Sequence, residues 1–427
     1  MSTNTHPTGT VTETIQPDTE QAKQIAEFIV RDIRSDDSLR ATADAAFWKR
    51  INPTETQLWI DSGDIPTIDS LWNAQFSGLT TNNSLLNQEI QRGNYDHLVP
   101  QAAKLLPGIS ETARVREIAF ILNVRHALKL VDRFQCDVSV ELHTDVANDL
   151  ESTLAYARRC HKVCAENFVV KVPLTPAGLV AIKQLSGEGI RVNCTLGFSA
   201  RQNYLATQFA RPAFVNVFLG RLNSYIEAND LGSGEFIGEK TALASQAAIS
   251  AWSENKPSRR TRQIAASLRD ATQLPLLAGI DVITMPPDVA RQAMDVLYDP
   301  WQSQLQHVHA AELAPNVDRE FVSVDKLWDV TDLERQFVRA AAEKQSLTPR
   351  QLRQMAVDHG IDDLFPQMTQ EQLQTIADEG KVPVHAHWQE RIRDGSLAID
   401  SLMTLAGLAA FAADQSQLDR RIREQLA

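Results

Sequence analysis

The sequence predicts an α/β protein: a (β/α)8, or TIM, barrel preceded by an N-terminal helix and followed by an all-helical C-terminal extension. Three observations predict it. Short apolar segments alternate with amphipathic ones over residues 56–312, the pattern of a parallel sheet or barrel. Eight such segments fall within about 250 residues, the usual size of this barrel. Beyond residue 313 the alternation stops and one helical pattern follows another.

Residues 1–18 are polar and rich in Thr, and read as a mobile tail. Residues 19–55 form an N-terminal helical segment, with Ile25, Phe28, Ile29 and Ile33 at helical spacing and the pattern running to about Lys49. The strand candidates are 57–61, 78–82, 138–142, 168–174, 190–196, 213–219, 262–268 and 282–286. Punctuation between them is clear. Thr175 before Pro176 is an N-cap followed by proline at the first helical position, Leu179, Ile182 and Leu185 make one apolar stripe, and Gly187 and Gly189 close it. Ser199 caps the next helix, and Asp64 caps the one after the first strand. In the extension, residues 313–427, helices are expected near 318–345, 348–359, 369–379 and 386–413. Gly360, Pro366 and the Lys381–Pro383 stretch break them, and Thr348 and Thr369 cap two weakly similar segments.

A net charge of −12 argues against nucleic-acid or membrane-surface binding, which calls for a basic face. It leaves anionic small molecules open, because two or three local arginines suffice to read a phosphate. Cys136, Cys160, Cys164 and Cys194 do not form a disulfide framework and read as free thiols of a reducing cytoplasm. The N-terminus lacks the basic start and apolar core of a secretion signal, and no stretch reaches the ~20 apolar residues of a membrane span. A cytoplasmic protein is expected.

A buried parallel strand is usually an apolar run, since both faces are covered. Here most strands break that rule with one parity. Ser139 and Glu141 oppose Val138, Val140 and Leu142. Lys171 sits among Val169, Val170, Val172 and Pro173, Asn193 and Thr195 oppose Val192 and Cys194, and Asn216 and Phe218 oppose Val215 and Val217. The first strand ends in Asp61, the second in Thr80–Asn82, and the seventh runs to Ser267 and Arg269. Alternate residues of a barrel strand point inward, so this polar set converges near the C-terminal strand ends, where barrel enzymes keep their sites. Lys171 is the sharpest residue. Lysine is almost never buried without a reason, and an apolar setting disfavours an ammonium ion relative to the neutral amine that attacks carbonyls. A buried Lys171–Glu141 ion pair without chemistry is the structural alternative.

These same residues carry a family resemblance. LWIDSGD (58–64), GLTTNNSL (78–85), VSVEL (138–142), VVKVPLTPAGL (169–179), GIRVNCTLGFSARQ (189–202), VNVFLGR (215–221) and AASLRDATQLPLLAGIDVITMPP (265–287) resemble, in order and spacing, the transaldolase family of class I aldolases. The resemblance covers residues 57–290; the N-terminal helix and the C-terminal extension fall outside it. It implies that Lys171 forms a Schiff base with a sugar-phosphate substrate. Glu141 would be the acid/base acting through a water that Thr195 helps to hold, and Asp61 would take the proton of the substrate C4 hydroxyl. Asn82 and Asn193 would bind the dihydroxyacetone hydroxyls, with Asn216 and Phe218 lining the imine region. Arg221, Ser267 and Arg269 would hold the phosphate. Neither metal nor organic cofactor is implied. Three positions depart from the family pattern: Asn83 stands where proline is usual, Asn216 where serine is usual, and Gly197 where a bulkier apolar residue is common.

Other signals stay in the background. His143 with Asp145, and His307 with His309, lack the spacing of a metal site and read as solvated or supporting residues. Gly232–Ser233–Gly234 lacks the lysine of a phosphate-binding loop. Two further readings stand beside the transferase: an aldolase releasing free dihydroxyacetone, and a non-catalytic barrel serving as a binding or regulatory module. The extension is open to three uses: covering the barrel, homo-oligomerisation, or binding a partner.

Overall fold

The computed structural model describes residues 14–33, 46–253 and 260–427. Most of the expected N-terminal tail, and residues 34–45 of the N-terminal helical segment, lie outside the described residues. Eight parallel strands close on themselves in sequence order: β1 (Gln57–Asp61), β2 (Phe76–Thr80), β3 (Asp137–Glu141), β4 (Phe168–Pro173), β5 (Val192–Thr195), β6 (Phe214–Phe218), β7 (Arg262–Ala266) and β8 (Val282–Met285). Helices separate them, so the fold is the expected (β/α)8 barrel with helical segments at both ends. Local cap chemistry works as the sequence suggests: the side chains of Thr175, Ser199 and Asp64 each accept the backbone N–H three residues on. Thr348 and Thr369 complete reciprocal capping boxes with Gln351 and Gln372.

The terminal segments differ in detail from expectation. The N-terminal pattern resolves into a helix, Glu20–Val30, and a separate 3₁₀ turn, Trp48–Thr54. The expected helix 386–413 is two: His385–Arg393, and a 28-residue helix Ile399–Leu426. Gly395, at φ +80°, ends the first in a left-handed turn that favours glycine. Among the described residues no helix is long and apolar enough to cross a membrane.

The interior of the barrel is layered. At the N-terminal end of the strands, Trp59, Val169, Phe214, Ile264 and Val282 pack into an apolar floor, with the rings of Trp59 and Phe214 5.1 Å apart. Gly78 makes room for it: a Cβ there would lie 2.4 Å from the Trp59 ring. One residue pair further along most strands the inward face turns polar, and that layer is the candidate site.

Candidate active site

Strand register sets the central residues side by side. Glu141 pairs with Lys171 across β3 and β4, Lys171 with Asn193 across β4 and β5, and Asp61 with Thr80 across β1 and β2. All point inward above the floor. Lys171 is 4% exposed, which excludes a merely solvated role. Its amine donates to the Thr81 carbonyl at 3.2 Å and stands 3.7 Å from Glu141 Oε2. Glu141 Oε2 also accepts the backbone N–H of Asn83 at 3.2 Å. Burial pushes the Glu141 carboxyl above the usual carboxylate range, against the opposing charge of Lys171.

Asp61 faces the same space. Its Oδ1 accepts the Thr80 hydroxyl at 2.6 Å, and Thr80 in turn lies 2.7 Å from the Thr284 hydroxyl. Burial raises the Asp61 carboxyl too; the Thr80 hydrogen bond and the charges of Lys171, Arg221 and Arg269 only reduce that rise. Thr284, inward-facing on β8, is a site residue that the sequence reading passed over, although it shares the inward parity of the strand. Beneath the lysine runs a ladder: Asn216 Nδ2 donates to Asn193 Oδ1 at 3.1 Å, and Asn193 Nδ2 donates to Ser139 Oγ at 3.0 Å. Two polar atoms, Asn216 Oδ1 and Thr195 Oγ1, are buried with no hydrogen-bond partner in the protein. Such atoms are costly to leave unsatisfied and are common where a ligand or water is to be held. Thr195 lies one residue pair beyond Lys171, on β5 against Pro173.

A cavity of about 250 Å³ opens above this layer, and Asp61, Asn82, Lys171, Asn193, Asn216 and Thr284 line it. Phe218, Arg221, Ser267 and Arg269 line it as well. Asn82 caps the helix Asn83–Gln91, its Oδ1 accepting Leu85 N–H at 2.9 Å. Strand β7 corrects the expected parity. It ends at Ala266, its inward residues are Ile264 and Ala266, and Ser267 turns to φ +67°. Ser267 and Arg269 reach the cavity because the backbone leaves the strand, not because they share its inward face. Gly220 lets the helix Leu219–Ala228, which follows β6, close on this turn, since a Cβ there would lie 2.1 Å from the Ser267 carbonyl oxygen.

Arg221 is buried, with Nη1 lacking a hydrogen-bond partner. Burial and the neighbouring charge of Arg269 push its guanidinium down to about 10, so it remains a cation at neutral pH. A buried, part-unpartnered guanidinium beside a second arginine is suited to a phosphate, whose oxygens match its fork.

The C-terminal extension enters the site. Phe411, on the helix Ile399–Leu426, lies 5.5 Å from Lys171 Nζ and 5.6 Å from the Arg221 guanidinium, measured to its ring centre. Lys381, exposed in the loop before His385, also lines the cavity. The helix is anchored across the barrel mouth. Asp400 accepts from Ser199 at 2.6 Å and from Arg201 Nε at 2.8 Å, and Thr404 donates to the Leu196 carbonyl at 2.9 Å. Further along, Ser84 bonds Asp414, Gln417 accepts from Asn87 at 3.2 Å, and His143 Nε2 lies 3.3 Å from Asp419. His143 and His309 are thus buried residues rather than solvated ones.

Residues 58–344 match the transaldolase/fructose-6-phosphate aldolase family, well over half of the chain. The chain belongs to this family. A probable transaldolase of Rhodospirillum centenum is 40% identical over 161 residues, 37% of this chain and 63% of the relative's own length. A transaldolase of Xanthomonas euvesicatoria is 29% identical over 238 residues, 54% of this chain and 72% of the relative. A probable transaldolase of Nitrosopumilus maritimus is 29% identical over 236 residues, 55% of this chain and 85% of the relative.

The departures from the family pattern have local reasons. Gly197 has no room for a side chain: a Cβ would lie 2.5 Å from the Asn216 carbonyl oxygen and 2.6 Å from Asn203 Oδ1. Asn203 is there because its Nδ2 donates to that carbonyl at 3.0 Å. Asn216 closes the amide ladder to Asn193 and leaves its side-chain oxygen, Oδ1, unpaired. Asn83 supplies the N–H that Glu141 accepts.

Proposed function

We propose that this chain is a transaldolase working through a Lys171 Schiff base. It transfers a dihydroxyacetone unit from a ketose phosphate, sedoheptulose 7-phosphate or fructose 6-phosphate, to an aldose phosphate, as in the non-oxidative pentose phosphate pathway. The observation that carries the reading is the amine of Lys171, buried in a polar layer with the Glu141 carboxylate 3.7 Å away and Asp61 lining the same cavity.

The chemistry follows from that arrangement. The Lys171 amine adds to the C2 carbonyl, and the carbinolamine loses its hydroxyl as water, with Glu141 passing the proton. Asp61 takes the proton of the C4 hydroxyl as the C3–C4 bond breaks. The bonding pair moves into the protonated imine, leaving an enamine on Lys171 and releasing an aldose phosphate. The acceptor aldehyde then takes the enamine carbon, its oxygen regains a proton from Asp61, and water returns through Glu141 to free the product. The imine is a far better electron sink than the ketone, so the steps need neither metal nor organic cofactor. Asn82, Asn193 and Asn216 would hold the dihydroxyacetone hydroxyls against the wall made by Phe218, and Arg221, Ser267 and Arg269 the phosphate. A cytoplasmic location fits substrates of this kind.

Borohydride trapping with fructose 6-phosphate, read by intact mass and peptide mapping, tests the reading. The expected adduct lies on Lys171 and is absent from Lys171→Ala. A folded protein that gives no adduct with any of several ketose phosphates would sink it. Product analysis with and without an aldose phosphate separates transfer from release of free dihydroxyacetone.

A further inference from the structure

We infer that Asn83 is a positioning residue for Glu141: its backbone N–H, 3.2 Å from Oε2, fixes the carboxylate beside the Lys171 amine, which stands 3.7 Å from the same oxygen. The inference rests on the Schiff-base reading for its catalytic meaning, but the bond itself does not. Asn83 is the first residue of the helix Asn83–Gln91, where the N–H has no partner within the helix. Glu141, arriving from β3, supplies that partner. The same oxygen thus lies between one ammonium and one amide donor, which limits the carboxylate to a single orientation over the lysine. The Asn83 side chain does separate work, donating to the Leu142 carbonyl at 3.4 Å.

Proline, the residue usual here in the family pattern, has no N–H and cannot make this bond. It would nonetheless fit the backbone. The first position of a helix tolerates proline, and Asn82 before it is already extended, at φ −156° and ψ 172°, as a residue preceding proline requires. Asn83→Pro therefore deletes the backbone bond to Glu141 together with the side-chain bond to Leu142, from a site that keeps its shape. Asn83→Ala keeps the N–H and deletes only the side-chain bond.

The groups facing Glu141 are few. Lys171 approaches from β4, and the charge of Arg221 acts from the helix Leu219–Ala228. His143, two residues on, is engaged by Asp145 N–H at 3.1 Å and lies 3.3 Å from Asp419. Asn123 donates to the Glu141 main-chain carbonyl at 2.5 Å and adds no charge. Of the influences opposing burial, the Lys171 charge comes first and the Asn83 N–H second. A donor to the charged form favours that form, so its removal lets Glu141 take up a proton at higher pH.

The experiment follows the Glu141 carboxyl by infrared titration of the full chain, with Glu141→Gln as the subtraction reference. Trapping with fructose 6-phosphate across the same pH range runs in parallel. In N83P the Glu141 titration is expected to move up by about one pH unit, the size of one hydrogen bond to a charged group. The acid limb of adduct formation moves with it, while N83A titrates with the unaltered protein. The inference is overturned if N83P titrates unchanged, or if N83A moves as far as N83P. If the unaltered protein forms no adduct, the Schiff-base reading has failed, and the infrared comparison still decides whether Asn83 holds Glu141.

Discussion

Asp61 is held where burial resists its charge, with two arginines and a lysine only partly offsetting that resistance. Its folded value lies above its ordinary 3.8, and the sign of the consequence follows. The folded state binds the proton more tightly, so the ionised carboxylate costs stability once the pH exceeds the folded value, and the cost is relieved as the pH falls through it. Asp61→Asn removes that cost and keeps an oxygen to accept the Thr80 hydroxyl. It is expected to melt higher than the unaltered protein at pH 8, with the gap closing toward acid pH. The same variant is expected to lose ~10²–10⁴-fold in turnover, the size of one acid/base group, while still giving the borohydride adduct. Unfolding scans across pH and a single trapping assay check both halves. Glu141→Gln is expected to behave differently, slowing adduct formation itself by ~10²-fold or more. The inward placement of Asp61 and Glu141 was legible because each is polar where a buried strand should be apolar. The unpaired oxygens of Asn216 and Thr195, and the left-handed turn of Ser267, were not. They depend on what surrounds each residue, and a single sequence does not record that.

The helix Ile399–Leu426 shows the same contrast at the scale of an element. Caps and breaks are local chemistry, and Thr348, Thr369 and Gly360 announce theirs. Gly395 marks one as well, but it lies within an otherwise helical stretch, where a single glycine need not end a helix. Where the helix docks has no local signature: Phe411 meets Lys171, and Asp400 meets Arg201, across about half the chain. The Arg201 junction is the main anchor. Its buried guanidinium reaches Asp400 Oδ2 at 2.8 Å, Asp363 at 3.0 Å and Glu334 at 3.1 Å. Arg201→Leu would remove the cation that three buried carboxylates share, and breaking such a cluster costs roughly 3–5 kcal/mol. Urea unfolding at pH 7 is expected to show that loss. Burial would raise the Asp363 carboxyl, but the charges of Arg201 and then Lys326 outweigh it and hold the group below its ordinary value. That stabilisation is present above the unfolded value and is lost as the pH falls through the folded one. The deficit of the variant should therefore narrow at acid pH.

At the scale of the whole molecule, the charge balance of −12 and the cavity disagree in sign, and the cavity decides what binds. Arg221 and Arg269 come from the barrel, while Lys381 comes from the extension and lines the same cavity. The two parts of the chain thus meet at one cavity, and on the phosphate-binding reading proposed above the extension would take part in recognition as well as covering the mouth. The three cations differ in how much each should matter. Arg269→Ala removes a guanidinium suited to two phosphate oxygens and is expected to raise KM for fructose 6-phosphate by tenfold or more, about one charged hydrogen bond. Lys381 is exposed, so solvent weakens its contribution toward that of a surface pair. Lys381→Ala is expected to raise the same KM about threefold, with kcat nearly unchanged. Added salt should erase the Lys381 effect first, because screening acts most strongly on the exposed charge. Initial rates with fructose 6-phosphate and with unphosphorylated fructose, at low and high ionic strength, separate these expectations. A loss of equal size on both sugars would mean that Lys381 shapes the cavity rather than reading the phosphate, and the extension's role would then rest on Phe411 alone.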